Sequence, residues 1–120
     1  MTKLCLQILK THFLPFLFKL LLIDMFCYKI HKQGGHTLLA ICDKELAGRT
    51  LNGAIGFDVS ESFYGKDHCN EARSLQLAKE ATMINAVGNS IVRFLIKNNL
   101  TSKENTVCIE DVMHCQIYVL

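Results

Sequence analysis

An α+β domain is the fold this sequence predicts: a mostly antiparallel sheet of about four to five strands, packed on one long or two consecutive helices. Three observations predict it. Two apolar runs, Phe26–His31 and His36–Cys42, are joined by a turn carrying Gly34 and Gly35. Apolar residues then recur every three or four positions between Glu71 and Asn98. The tail, from Met113 to Val119, alternates with a period of two.

The chain has 120 residues, half of them hydrophobic and a fifth charged, with one proline and a formal charge of +2. That length suits one domain able to bury its own core. Disorder requires low hydrophobicity and high net charge, and neither is present. A charge of +2 is too small to imply nucleic acid or an acidic membrane as a partner. The six cysteines (5, 27, 42, 69, 108 and 115) form no C-x-x-C pair. Cys27, Cys42 and Cys115 lie in apolar runs, where a free thiol behaves as a small hydrophobe. Free thiols in a reducing cytosol are therefore expected.

Residues 1–24 form a hydrophobic extension around "HFLPFLFKLLLID". A transmembrane helix needs about 20 apolar residues, whereas this run is shorter and is interrupted by Pro15 and Lys19. A secretory signal would place Lys3 and Lys10 before the apolar region, but no small-x-small cleavage site follows. The remaining readings are a mis-assigned start, with Met25 the true first residue, and a membrane-associating or partner-binding helix. A single domain runs from Met25 to Leu120 in each case, with no membrane contact expected for it.

The two glycines of "KQGG" permit the backbone of a tight hairpin. After Cys42 the chain turns at Asp43-Lys44-Glu45, and "GAIGFDVS" reads as a short or bulged strand between glycines. "ESFYGKDH" reads as a loop, and Asn70 as a helix N-cap followed by Glu71. Leu77, Ala81, Ile84, Gly88, Ile91 and Leu95 share one helical face, with close packing on the sheet explaining Gly88 and a break near Thr82 as an alternative. Asn98 and Asn99 end the helix. "TVCIE" and "MHCQIYV" are the last strands, the latter placing Met113, Cys115, Ile117 and Val119 toward the core.

On that alternation His114 and Gln116 share the opposite face, where two hydrogen-bonding side chains can grip one ligand group. Cys42 beside Asp43 offers a second chemistry, since a nucleophilic thiol needs a neighbouring base such as His114 or His36. Its plainer reading is a core cysteine followed by a turn aspartate that bonds nearby amides. His68-Cys69 and His114-Cys115 lack the spacing of a zinc site, so no metal is expected. No phosphate loop, dinucleotide fingerprint or hydrolase elbow occurs, and no cofactor is expected.

The stretches "KIHKQGGHTLLAICDKELAGRTL", "FDVSESFYG", "ATMINAVGNSIV" and "HCQI" resemble, in order and spacing, the small uncharacterised archaeal proteins called DUF424. The resemblance covers nearly all of Met25 to Val119. It implies attention to Cys42, Asp43, Gly48, Phe63, Tyr64, Asn85, Gly88, His114 and Gln116, with Tyr64 and Asn85 joining His114 and Gln116 as ligand or partner contacts. The last block departs from the family's glycine-x-proline-His-Ala-Gln pattern, reading Asp111 to Gln116 here. An archaeal, cytoplasmic setting is implied, without an established activity. The leading expectation is a non-enzymatic binding module, in a translation or RNA-related assembly, with protein or RNA as partner. The alternative is a small enzyme using Cys42, Asp43 and His114 in one cleft. A third reading is a homodimer through Ile84, Gly88 and Ile91.

Overall fold

The computed structural model describes residues 23–51 and 56–119. The expectations for the apolar extension fall outside the described residues as far as Leu22, and so do the first three residues of "GAIGFDVS".

The glycine hairpin forms as expected. Strand β1 (Phe26–Gln33) pairs antiparallel with β2 (His36–Asp43) along its whole length, and Gly34 takes φ +61 in the turn. Beyond β2 the chain makes a 3-10 turn at Lys44–Leu46 and bends at Gly48. It then adds the short pair β3 (Thr50–Leu51) and β4 (Phe57–Asp58). The expected loop at Glu61 to His68 holds two elements. Ser60 caps a one-turn helix, α1 (Glu61–Tyr64), by accepting from the Phe63 amide. Strand β5 (Asp67–Cys69) follows and pairs with the start of β1.

Asn70 caps α2 (Glu71–Glu80) as its position suggests, its Oδ1 accepting from the Arg73 amide at 2.8 Å. The long helix expected from Glu71 to Asn98 does not form. Strand β6 (Met83–Val87) interrupts it, and α3 (Asn89–Lys97) follows. The apolar spacing that suggests one helical face runs through this five-residue strand, on which Ile84 and Ala86 are buried while Met83 and Asn85 are half-buried, a period of two too short to stand out from the sequence. Thr82 fixes the start of β6: its amide donates to the Thr37 carbonyl, and its hydroxyl accepts from the Thr37 amide. At the far end Asn99, at φ +61, takes the left-handed turn expected after the helix. Strands β7 (Thr106–Ile109) and β8 (Val112–Tyr118) complete the chain.

The main sheet has six strands in the order β5-β1-β2-β6-β8-β7. It is a mixed sheet of six strands rather than the expected mostly antiparallel one of four to five, because the crossover sets β6 parallel to β2 at its centre. The segment between β2 and β6 is a long crossover, as parallel neighbours require. One face, the helix face, packs Leu39, Ile41, Ile84, Ala86 and Cys115 against Leu77 of α2 and Ile91 and Leu95 of α3. The other, the loop face, packs Cys27, Ala40, Cys42 and Val87 under Leu46, Leu51, Val59 and Tyr64.

Candidate functional site

Alternation along three adjacent strands puts the singled-out residues into rows on the loop face. Cys42, Val87 and His114 are register partners across β2, β6 and β8; Ala40, Asn85 and Gln116 form the next row, and Leu38, Met83 and Tyr118 the third. The one-turn helix α1 lies over part of this surface. Its Tyr64, buried to 2% exposure, donates from its hydroxyl to Asn85 Oδ1 at 2.7 Å. Burial pushes the Tyr64 hydroxyl pKa up, so it stays a donor across the ordinary pH range. Phe63 packs edge-on against Tyr64 and stacks on His31, whose Nε2 donates to the Phe63 carbonyl at 2.8 Å.

His114 lies on the predicted face, but that face is a second core at this position. The residue is 8% exposed beneath Phe57, with ring centroids 5.0 Å apart. Its Nδ1 donates to the Ala86 carbonyl at 2.9 Å. A carbonyl only accepts, so the neutral ring carries its proton on Nδ1 and leaves the Nε2 lone pair free to accept. Burial lowers the His114 pKa, and the bond to Ala86 offsets part of that. Gln116 is exposed, as the alternation suggests. Tyr64, Asn85, His114 and Gln116, far apart in sequence, thus meet on one surface.

The catalytic grouping of Cys42, Asp43 and His114 does not form. Neighbouring residues on a strand point to opposite faces, so Asp43 leaves Cys42 and turns to the helix face. There its carboxylate caps α3, Oδ2 accepting from the Ser90 amide at 3.0 Å and Oδ1 from the Ile91 amide at 2.9 Å. Burial raises the Asp43 pKa, and the two amides pull against it. Asp43 is therefore not a turn residue bonding its neighbours; its partners lie more than forty residues downstream. Cys42 is fully buried, and burial pushes its thiol up to about 12. It sits two strands from His114, about 10 Å at the usual interstrand spacing.

Gly88 also has a different role from the expected helix-to-sheet contact. It precedes α3 at φ +129, and a Cβ there would overlap the Asp43 carboxylate. Ile84, Gly88 and Ile91 are buried on a strand, at a cap and in a core helix, so they offer no dimer face. His114 and Cys115 lie on opposite faces of β8. Among the described residues no group of three or more His, Cys, Asp or Glu side chains is placed to hold a metal ion. The described cysteines are free, Cys108 exposed and the rest buried.

Two contributors escape the sequence. Phe57, which roofs His114, is carried there by a crossover that no local pattern announces. Asn89 ties α3 to the β7–β8 hairpin, donating from Nδ2 to the Asp111 carbonyl and accepting at Oδ1 from the Met113 amide. Glu110 and Asp111, at φ +50 and +64, form the tight turn of that hairpin.

The family model of DUF424, described as a protein of unknown function, matches residues 31–120. The chain belongs to the DUF424 family. The crystal structure of an uncharacterized conserved protein from Methanopyrus kandleri is similar to it, with a TM-score of 0.64 and 25% sequence identity. The similarity covers 79% of this chain and 91% of that one. Among curated proteins, none matches this DUF424 chain. No helix among the described residues is long and apolar enough to cross a membrane.

Proposed function

We propose that this DUF424 domain is a non-enzymatic binding module whose ligand rests on the uncovered part of the loop face, around Asn85 and Gln116. The observation that carries this reading is the hydrogen bond from Tyr64 to Asn85 Oδ1. It fixes the carboxamide so that Nδ2 remains to donate, beside the freely rotating amide of exposed Gln116. His114 adds a fixed acceptor nearby. A sheet surface that spends a buried tyrosine on orienting a half-buried asparagine is organised for recognition. The burial of Cys42 and the diversion of Asp43 leave no activated nucleophile in the set, which supports a module that binds without turning over its ligand.

Native mass spectrometry of the protein recovered gently from its host cells tests this, with Gln116→Ala recovered in parallel. A bound component present on the wild type and lost from the variant, at equal thermal stability, supports the reading. Equal retention by both would overturn it.

A further inference from the structure

We infer that the partner of this surface is an extended, uncharged segment of another protein, its main-chain amide gripped by Asn85 and Gln116 and its side chains seated on either side of Tyr118. The inference rests on the binding-module reading above and names its ligand class.

The first observation is shape. A cleft of about 90 Å³ lies between Leu38, Met83, Asn85, Gln116 and Tyr118. A wider, mostly apolar hollow of about 460 Å³ opens beyond Tyr118, among Gly35, His36, Thr82, Met83 and Val119. The two hollows flank one ring, which is 65% exposed. An extended peptide sends residues i and i+2 to the same side about 7 Å apart, a spacing that straddles an aromatic side chain. Exposed aromatic residues between apolar hollows are the usual anchors of protein interfaces.

The second observation is hydrogen-bond chemistry. Tyr64 holds Asn85 by its Oδ1, which leaves the Nδ2 donors of the carboxamide to meet a ligand. Gln116 offers a donor and an acceptor one strand away, as the register partner of Asn85. One residue of an extended peptide turns its N–H and its carbonyl to the same side, and this pair satisfies the two together.

The third observation is charge. No side chain from Val112 to Val119 is a lysine, arginine, aspartate or glutamate. On β1 the ammonium of Lys29 is already bonded to the Ser62 carbonyl at 3.0 Å. An RNA strand brings a phosphate with every nucleotide and needs cations to meet it. A last strand without charged side chains, with exposed Tyr118 and Val119 beside the hollows, favours an apolar peptide over a polyanion.

A displayed library of random twelve-residue peptides, selected on the full chain and counter-selected on Gln116→Ala, tests the inference. The expected winners carry aliphatic or aromatic residues at i and i+2 and no charge between them. A synthetic winner titrated into ¹⁵N-labelled protein should shift the side-chain amide signals of Asn85 and Gln116. Tyr118→Ala, which removes a solvent-facing ring and should leave the fold intact, is expected to weaken binding about tenfold or more. Spacing the two apolar residues at i and i+3 should do the same. Failure to enrich any sequence over the Gln116→Ala control would overturn the peptide inference. So would peptide shifts confined to other surfaces, or a random single-stranded RNA mixture moving these amides where peptides do not. An RNA or small molecule held through Gln116 leaves the binding-module reading standing; a host component held without Gln116 removes both.

Discussion

The two faces of the sheet are built from the same strands and are closed by covers of different length. On the helix face, Leu39, Ile41, Ile84 and Ala86 lie under α2 and α3, helices of ten and nine residues. At 1.5 Å per residue each spans about 14–15 Å, close to the length of the five-residue strand β6. On the loop face the cover is the β3–β4 pair and α1, a single turn of four residues about 6 Å long. It reaches Cys42, Val87 and the His114 ring, then stops, leaving Leu38, Met83, Asn85, Gln116 and Tyr118 at or near solvent. A short cover, rather than a special strand, creates the candidate site. Closure on the helix face supplies the stability that allows the other face to remain partly open.

Substitution at Gly88 should break the helix face most severely. Gly88→Ala places a Cβ against Asp43 at φ +129 and uncaps α3, at an expected cost of about 3–5 kcal/mol. Denaturant unfolding would measure this, and a cost under about 1 kcal/mol would show that the Asp43 clamp is unimportant. Asp43→Ala, which leaves the buried Ile91 amide and its neighbour without their acceptor, should cost about 2–3 kcal/mol by the same method. On the loop face, Tyr64→Phe should cost only about 1 kcal/mol, because half-buried Asn85 can turn to water. It should nonetheless impair ligand binding, since the carboxamide is no longer oriented. Gln116→Ala, at an exposed position, should change stability by about 0.5 kcal/mol or less while removing binding.

The two faces respond to acid with opposite signs. Burial lowers the folded pKa of His114, so the unfolded chain takes up that proton first. Stability should therefore fall as pH drops from the ordinary histidine value of about 6.5 through the folded value. Burial raises the folded pKa of Asp43, so its contribution strengthens on acidification and is lost as pH rises from the ordinary carboxylate range through the raised value. Denaturation midpoints taken across this range for His114→Phe should lose the upper slope and keep the lower one. Alkylation adds a smaller kinetic check. Cys108 should label rapidly on the folded protein, whereas Cys42, buried with its thiol pushed to about 12, should label only on unfolding. Fast labelling of Cys42 in the native state would reopen the enzyme alternative.

Local chemistry made several elements legible. Gly34 and Gly35 announce the hairpin, Asn70 the start of α2, and the period of two the face shared by His114, Gln116 and Tyr118. Each signal acts within a few residues, so sequence order is enough to read it. The sequence hides β6 because the strand is five residues long with Asn85 its one polar side chain, too little to display a period of two, and Ile84 falls on helical spacing with Ala81, Gly88 and Ile91. Resemblance to DUF424 drew attention to Asp43, Gly88, Tyr64 and Asn85, but their duties depend on contacts across the fold. Asp43 meets the amides of Ser90 and Ile91, and Tyr64 meets Asn85, only after the crossover from β2 to β6 brings them together. The parallel pairing of those strands likewise follows from where the crossover lands. By itself the sequence determined the α+β class, the hairpin and the polar face of the last strand, because propensity and periodicity are properties of neighbouring residues. The Asp43 helix cap, the burial of Cys42 in the core and the open floor shared by Asn85 and Gln116 belong to the tertiary structure, because each depends on which residues long-range packing makes neighbours.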